Sequence, residues 1–327
     1  MPRYLDLKTT LSIFSTSTAA FTASPSVGSL AAVRIDFLAS YKSWEHTSEF
    51  FFGPGNINFL DKPHVNMFPT DTVKIKSNIL SGVYDFGSTF GPTYSGFPAI
   101  EYLLFSRKLT DQQIVDAFIA SSSRKTYLMD LIASLKNKTD KTYNGWVSGD
   151  MFISSFISND GVNSGSSTSA LLNLFSYDIE VLKNDKIGKA ADIVVSMDGT
   201  VNTNPVPKPG SAEGYYSDSS LALMKNSILE LRDLYLGKSA AGIDGIGFDD
   251  YLTGIGKGEL NTKILNQFDL SISKINAIPD PYSTAIVNQR AAVVDAYAAI
   301  TQLLAYIKVD LSSAISVRID YSDTDGD

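Results

Sequence analysis

Between residues 293 and 315 the side chains of Val293, Tyr297, Ile300, Leu304, Ile307, Leu311 and Ile315 recur at intervals of three and four. That spacing lines one face of a helix and predicts the seam of a left-handed bundle. Leu221, Met224, Ile228, Leu231 and Tyr235 keep the same rhythm, and Leu30, Val33, Phe37, Tyr41 and Trp44 trace a third stripe. The flanks carry residues with which helices start and stop. Ser29 or a neighbouring serine can cap the early helix, Asp218 or Ser219 the later one, and Gly237 stands where a left-handed residue closes a helix. Alternating patterns are scarce, and 191–201 and 316–321 are the fair strand candidates. The expected fold class is therefore all-α: two helical-bundle domains, long connecting loops, and little or no strand.

Two stretches interrupt the helical pattern. Residues 53–96 are dense in glycine, proline and asparagine, and residues 186–216 contain "NTNPVPKPG". Loops of this length carry function or join domains. The second lies near mid-chain and sets the expected division, residues 1–200 and 201–327. No repeat of fixed period is visible, although one early helix ends in "FFFGP" and a later one in "LYLGK", a hint of two related bundles.

The chain has 327 residues, 44% of them hydrophobic and 19% charged, which is ample for a core and too apolar for disorder. A net charge of −8 argues against nucleic acid as a partner, since such affinity rests on clustered lysine and arginine. No uninterrupted apolar run reaches the roughly 18 residues that span a bilayer. The best candidate, 296–307, reads as a buried helix. The amino terminus lacks a basic segment followed by an apolar stretch and a cleavage site, so the expectation is either a cytosolic chain or one whose export signal has been removed. Cysteine is absent, which excludes disulfides, thiolate metal sites and thiol nucleophiles. The two histidines are His46 and His64. Neither sits in a nucleophile motif that a serine hydrolase would need.

One acid stands out. In "GFPAIEYLLF" (96–105), Pro98 suits the first turn of a helix expected from about Phe97 to Ser106, and Glu101 then falls in that first turn. Its carboxylate could simply face the free N–H groups there. The competing reading starts from its neighbours Ile100, Tyr102, Leu103 and Leu104, because carboxylates seldom sit among apolar side chains without a partner or a task.

The same stretch resembles the G-x-H-x-x-E signature of the imelysin family. "KNDKIGKAAD" (183–192), "YYSDSSLALMKNSILELRDLYLG" (215–237) and the last helix with its aspartate-rich tail (295–327) resemble further family segments, in the family's order. The resemblance implies an all-helical protein of two bundles, exported to the periplasm or held on the outer membrane as a lipoprotein. It also implies that the chain starts part-way along the family's first helix, behind an absent export signal and lipid-anchored cysteine. Family members are described as metallopeptidases, as iron-regulated proteins, and as binding components for metal or polysaccharide. The motif's His and Glu, three apart on one helix face, are the family's proposed metal ligands.

Here the resemblance breaks. Pro98 stands where the family has histidine and offers no ligand atom. The acid expected after the second helix would fall on Ser48, with Glu49 one position later, which turns a side chain by about 100° around a helix. A displaced site of His46, Glu49 and Glu101, holding a divalent metal, is the alternative. Against it, Glu45 and Glu49 read as an exposed acidic pair beside a solvated histidine. His64, beside a proline, reads as structural. The tail "DTDGD" resembles the opening of a calcium loop at Asp323, Asp325 and Asp327 but stops short of its closing glutamate.

The expected function is a non-catalytic binding protein, with no catalytic residues and no cofactor, and with a possible link to iron or glycan uptake. Its ligand, a small polar solute, peptide or glycan, is expected in an inter-bundle cleft lined by Glu101, Tyr102, Glu213, Tyr216, Ser217, Ser220 and Asn226. An outer-membrane protein is a further partner to consider, with the membrane reached only through a lipid anchor. The alternative is a metallohydrolase with Glu101 as ligand or general base.

Overall fold

The computed structural model describes residues 2–87, 92–147, 152–193, 202 and 204–320. Among these residues the regular structure is helical and no strand occurs. The chain divides into two compact units, residues 1–153 and 154–327. The expected boundary at 200/201 falls on residues outside the described ones, and the helical segments on both sides of it belong to the second unit. The reason is a shared core: Leu172, Phe175, Ile179, Leu182 and Ile187 pack into one cluster with Leu221, Met224, Ile228, Phe268 and Ile300.

In the first unit, helices Pro2–Ala23, Val27–Glu45 and Ser122–Val147 form the frame. The stripe of Leu30, Val33, Phe37, Tyr41 and Trp44 is fully or almost fully buried. Phe37 meets Phe14 edge-on at 5.9 Å, a favoured aromatic geometry. The cap of the Val27–Glu45 helix is Ser26, with Ser29 completing the reciprocal pair. Residues 53–96 are less irregular than expected, because they contain the turns Pro54–Ile57 and Lys62–Val65 and the helix Thr72–Ser81. Asp71 caps that last helix at the backbone N–H groups of Val73 and Lys74.

In the second unit, helix Ser167–Glu180 continues without a break into a π-helical segment, Val181–Gly188, and then Lys189–Ala191. Helices Ser220–Tyr235, Gly258–Asn276 and Arg290–Ala305 pack around it. Ser219 precedes Ser220–Tyr235 without a side-chain cap bond, while Gly237 follows that helix with φ +66°, in the left-handed region. The helical run Arg290–Ala314 is long and apolar enough, by length and composition, to cross a membrane. It is a core helix of this unit: Val293, Ala296, Ile300, Leu303, Ile307 and Leu311 are buried. Residues 316–320 form no strand, and 194–201, most of the other strand candidate, lie outside the described residues, as do Asp323, Asp325 and Asp327.

Candidate functional site

Helix Gly96–Leu104 begins one residue earlier than expected and ends two earlier. Glu101 therefore lies in its second turn, where the field of the free N–H groups has largely faded. Gly96 has φ +70°, and a Cβ there would come within 2.0 Å of the Val65 carbonyl oxygen. Only glycine lets the helix start that close to the turn Lys62–Val65. Phe97 lies flat on Tyr41, with ring centroids 4.6 Å apart and planes 3° from parallel. Pro98 occupies the third helical position, where a backbone N–H has no acceptor inside the helix. The proline thus fits at no cost in hydrogen bonding, but it brings no donor or ligand atom.

Glu101 is 2% exposed and Tyr102 half-buried. At the far end of the helix two arginines serve the last carbonyls. Arg34 Nε donates to Leu104 O at 2.8 Å, and Arg124 Nη2 donates to Leu103 O at 3.1 Å. Burial pulls the Arg124 guanidinium below its ordinary pKa. The motif helix is therefore held at both ends, by backbone packing at Gly96 and by cations at its carbonyl end.

The alternative ligand set is dispersed over different kinds of element. His46 follows helix Val27–Glu45 as its C-cap, Glu49 lies in the 3-10 turn Ser48–Phe50, and Glu101 lies in the motif helix. Glu45 and Glu49 are not an exposed acidic pair: they are 5% and 1% exposed, and Arg3 Nη1 approaches Glu49 Oε2 at 3.7 Å. Burial of apolar neighbours on both sides of this turn carried the acids inward. His64 pairs through Nδ1 with Asp61 and lies 4.6 Å from the Phe59 ring centroid. Among the described residues no group of three or more His, Asp or Glu side chains is placed to hold a metal ion. Among the described residues, Pro98 supplies no ligand atom beside Glu101, so the His and Glu pair that the family motif implies is incomplete.

The second unit holds the remaining residues singled out by sequence. Glu213 is fully buried and Ser220 is 3% exposed. The Ser220 hydroxyl donates to the Glu213 carbonyl, so these two are brought together. Gly214, at φ +64°, turns the chain between them; a Cβ there would lie 2.4 Å from Ser219 Oγ. Ser217 Oγ meets Ser219 Oγ at 2.8 Å, Tyr216 stands edge-on to Tyr215 at 5.2 Å, and Asn226 is half-buried on helix Ser220–Tyr235.

Sequence reasoning missed the partner of Glu213. Lys186 Nζ lies 2.8 Å from Glu213 Oε2, with the two side chains 5% and 0% exposed. Lys186 comes from the π-helical segment, as does Lys183, which is 6% exposed and sits over the Tyr297 ring at 6.0 Å. The preceding Glu180 pairs with Lys308 at 3.2 Å. π-Helical turns inside longer helices are frequent at functional sites. Residues 186–191, expected to open an irregular connection, are instead helical, and Lys183 and Lys186 lie three apart in that helix.

The family model for imelysin, peptidase family M75, matches residues 1–307. No curated protein matches the chain. Among solved structures, a protein from Parabacteroides distasonis ATCC 8503 described as an iron-regulated protein A precursor superposes with a TM-score of 0.76 at 20% identity, covering 96% of this chain and 91% of that one. An imelysin-like protein from Psychrobacter arcticum 273-4 superposes with a TM-score of 0.66 at 14% identity, covering 98% and 92%. Those two likenesses bear on the fold; the family match, spanning nearly the whole sequence, shows that this chain belongs to the imelysin family.

Proposed function

We propose that this chain is an exported, non-catalytic binding member of the imelysin family. Its ligand is a small polar solute, a peptide or a glycan, met in the second unit by Glu213, Tyr216, Ser217, Ser220 and Asn226. The observation that carries the reading is Pro98: the backbone of the motif helix is kept while the imidazole of the family's ligand pair is replaced by a side chain with no donor. The buried Lys186–Glu213 pair supports the binding role, because charges are costly to bury and tend to mark a task beyond stability. A neighbour described as an iron-regulated protein precursor supports export and a link to iron uptake.

The test is metal content by elemental analysis of protein purified without chelator, beside the Pro98→His variant. The native chain is expected to hold no stoichiometric metal and the variant to gain about one equivalent, as a restored ligand pair should. Tight metal already present in the native protein overturns the reading in favour of a metallohydrolase with a displaced site.

A further inference from the structure

The second unit also carries a pocket unrelated to the residues above. It has a volume of about 470 Å³ and is lined by apolar side chains from three helices, among them Leu171, Leu234, Phe248 and Tyr251. Thr168 is its polar side chain. Phe248 is fixed from behind, parallel to the buried Phe175 ring at 6.1 Å. The pocket size lies in the range of sites that enclose a bulky apolar group.

The loop from Gly237 to Gly247 forms one lip. Its neck is backbone against backbone, since a Cβ on Gly237 would lie 2.6 Å from the Ile246 carbonyl and one on Gly247 2.5 Å from Gly237 N. The loop is tied internally: Ser239 N donates to Ile243 O at 2.9 Å, and Ile243 N donates to Ser239 Oγ at 3.1 Å. This ordered loop nevertheless presents Ile243 at 69% and Ile246 at 92% exposure, beside Tyr251 at 45%. Large apolar side chains held out in water beside an apolar pocket mark an interaction surface.

Charge says what covers it. From residue 233 to 251 the chain places Asp233, Asp244, Asp249 and Asp250 against the single cation Lys238, and Asp160 adjoins the pocket residue Gly161. Burial first, and then the neighbouring charges of Asp250 and Asp244, raise the Asp249 carboxyl above its ordinary pKa, so negative charge is locally in excess. A cation arriving at this rim relieves that excess.

We infer that this pocket docks a segment of a partner protein in which a bulky apolar side chain is flanked by lysine or arginine. The apolar group enters between Leu171, Leu234 and Phe248, Ile246 and Tyr251 close over it, and the flanking cations meet the aspartates. The inference goes beyond the polar ligand proposed above and does not depend on it.

The test uses the full chain and a short fluorescein-labelled peptide with leucine and phenylalanine flanked by lysines, followed by fluorescence anisotropy at low salt. Saturable binding is expected. Replacing the peptide's lysines by glutamate, or its apolar pair by serine, should weaken binding by about tenfold or more. Thr168→Trp fills the pocket from a half-exposed helix position and should do the same. Ile246→Ser changes a side chain already in water, cannot disturb the core, and should weaken binding severalfold. Asp244→Asn should reduce the salt dependence. No saturable binding up to about 1 mM, equal binding of the serine peptide, or indifference to both Thr168→Trp and Ile246→Ser overturns the inference. So does uptake of the small apolar dye N-phenylnaphthylamine, sensitive to Thr168→Trp, when the peptide does not bind. Self-association abolished by Ile246→Ser would assign the surface instead to a second copy of this chain.

Discussion

Helix Gly96–Leu104 in the first unit and the π-helical segment Val181–Gly188 in the second are both buried, and both bring ionisable groups inside. They are built on different principles. The first is apolar along nearly its whole length and is placed mainly by shape, with Gly96 against Val65, Phe97 against Tyr41 and Pro98 in a position that needs no N–H, while Arg34 and Arg124 serve only its last carbonyls. The second adds charge to its apolar packing: besides Leu182 and Ile187 in the core it sets Lys186 on Glu213, and the adjoining Glu180 on Lys308. A motif held by shape can lose its chemistry and keep its fold, which is how Pro98 is tolerated. A segment held by charge cannot lose one partner without stranding the other.

The largest expected effect tests the charge half of that contrast. Glu213→Leu leaves Lys186 buried against an apolar surface and should cost about 3–5 kcal/mol in urea denaturation. The double variant Lys186→Met with Glu213→Leu removes both charges and should recover much of the loss. If the double variant is no more stable than the single one, the pair is not what positions this segment.

Next in size is the shape half. Gly96→Ala drives a Cβ into the Val65 carbonyl at a positive φ and should destabilise the first unit by on the order of 3 kcal/mol. Gly188→Ala is the control in the second unit. There a Cβ meets the Tyr297 ring at 3.0 Å and Lys183 O at 3.2 Å, within an ordinary helical conformation, so the loss should be nearer 1 kcal/mol. Equal losses at the two glycines would dissolve the distinction between a shape-held and a charge-held region.

This contrast also explains what the sequence disclosed. Helix stripes were legible because burial enforces their period, and every residue of the 293–315 stripe is at most 7% exposed. Gly237 was legible as a helix stop for the same local reason, and the motif was legible as far as Gly96, Pro98 and Glu101. The inward turn of Glu45 and Glu49 was not, because a helical wheel shows which side chains share a face but not what a later turn lays over them. Lys186 was missed since its partner Glu213 is distant in sequence and residues 186–216 were expected to be an irregular connection, whereas the helix runs on through Gly188 to Ala191. The division of the chain was misplaced because a proline-rich stretch marks an irregular connection, and whether its flanks share a core is decided by packing.

The smallest effect concerns Asp249, a partly exposed acid that sharpens the comparison by having neither a shape-fixed nor an ion-paired setting. Burial raises its pKa above the ordinary 3.8, with Asp250 and Asp244 adding repulsion, against the lowering by backbone N–H groups at the start of its helix. A raised carboxyl holds its proton more tightly in the folded chain than in the unfolded one. Its contribution to stability is therefore complete below pH 3.8, fades as pH rises through the folded value, and is absent at neutrality. Asp249→Asn should consequently be closer to the native protein in acid and gain on it toward neutral pH, by a fraction of a kcal/mol, about 0.5, after solvent screening. Thermal melts of both proteins at about pH 3.5 and about pH 7 read the difference. A gap that stays constant between the two conditions would mean that the acid is already solvated and that the rim of the apolar pocket carries no excess charge for a basic segment to neutralise.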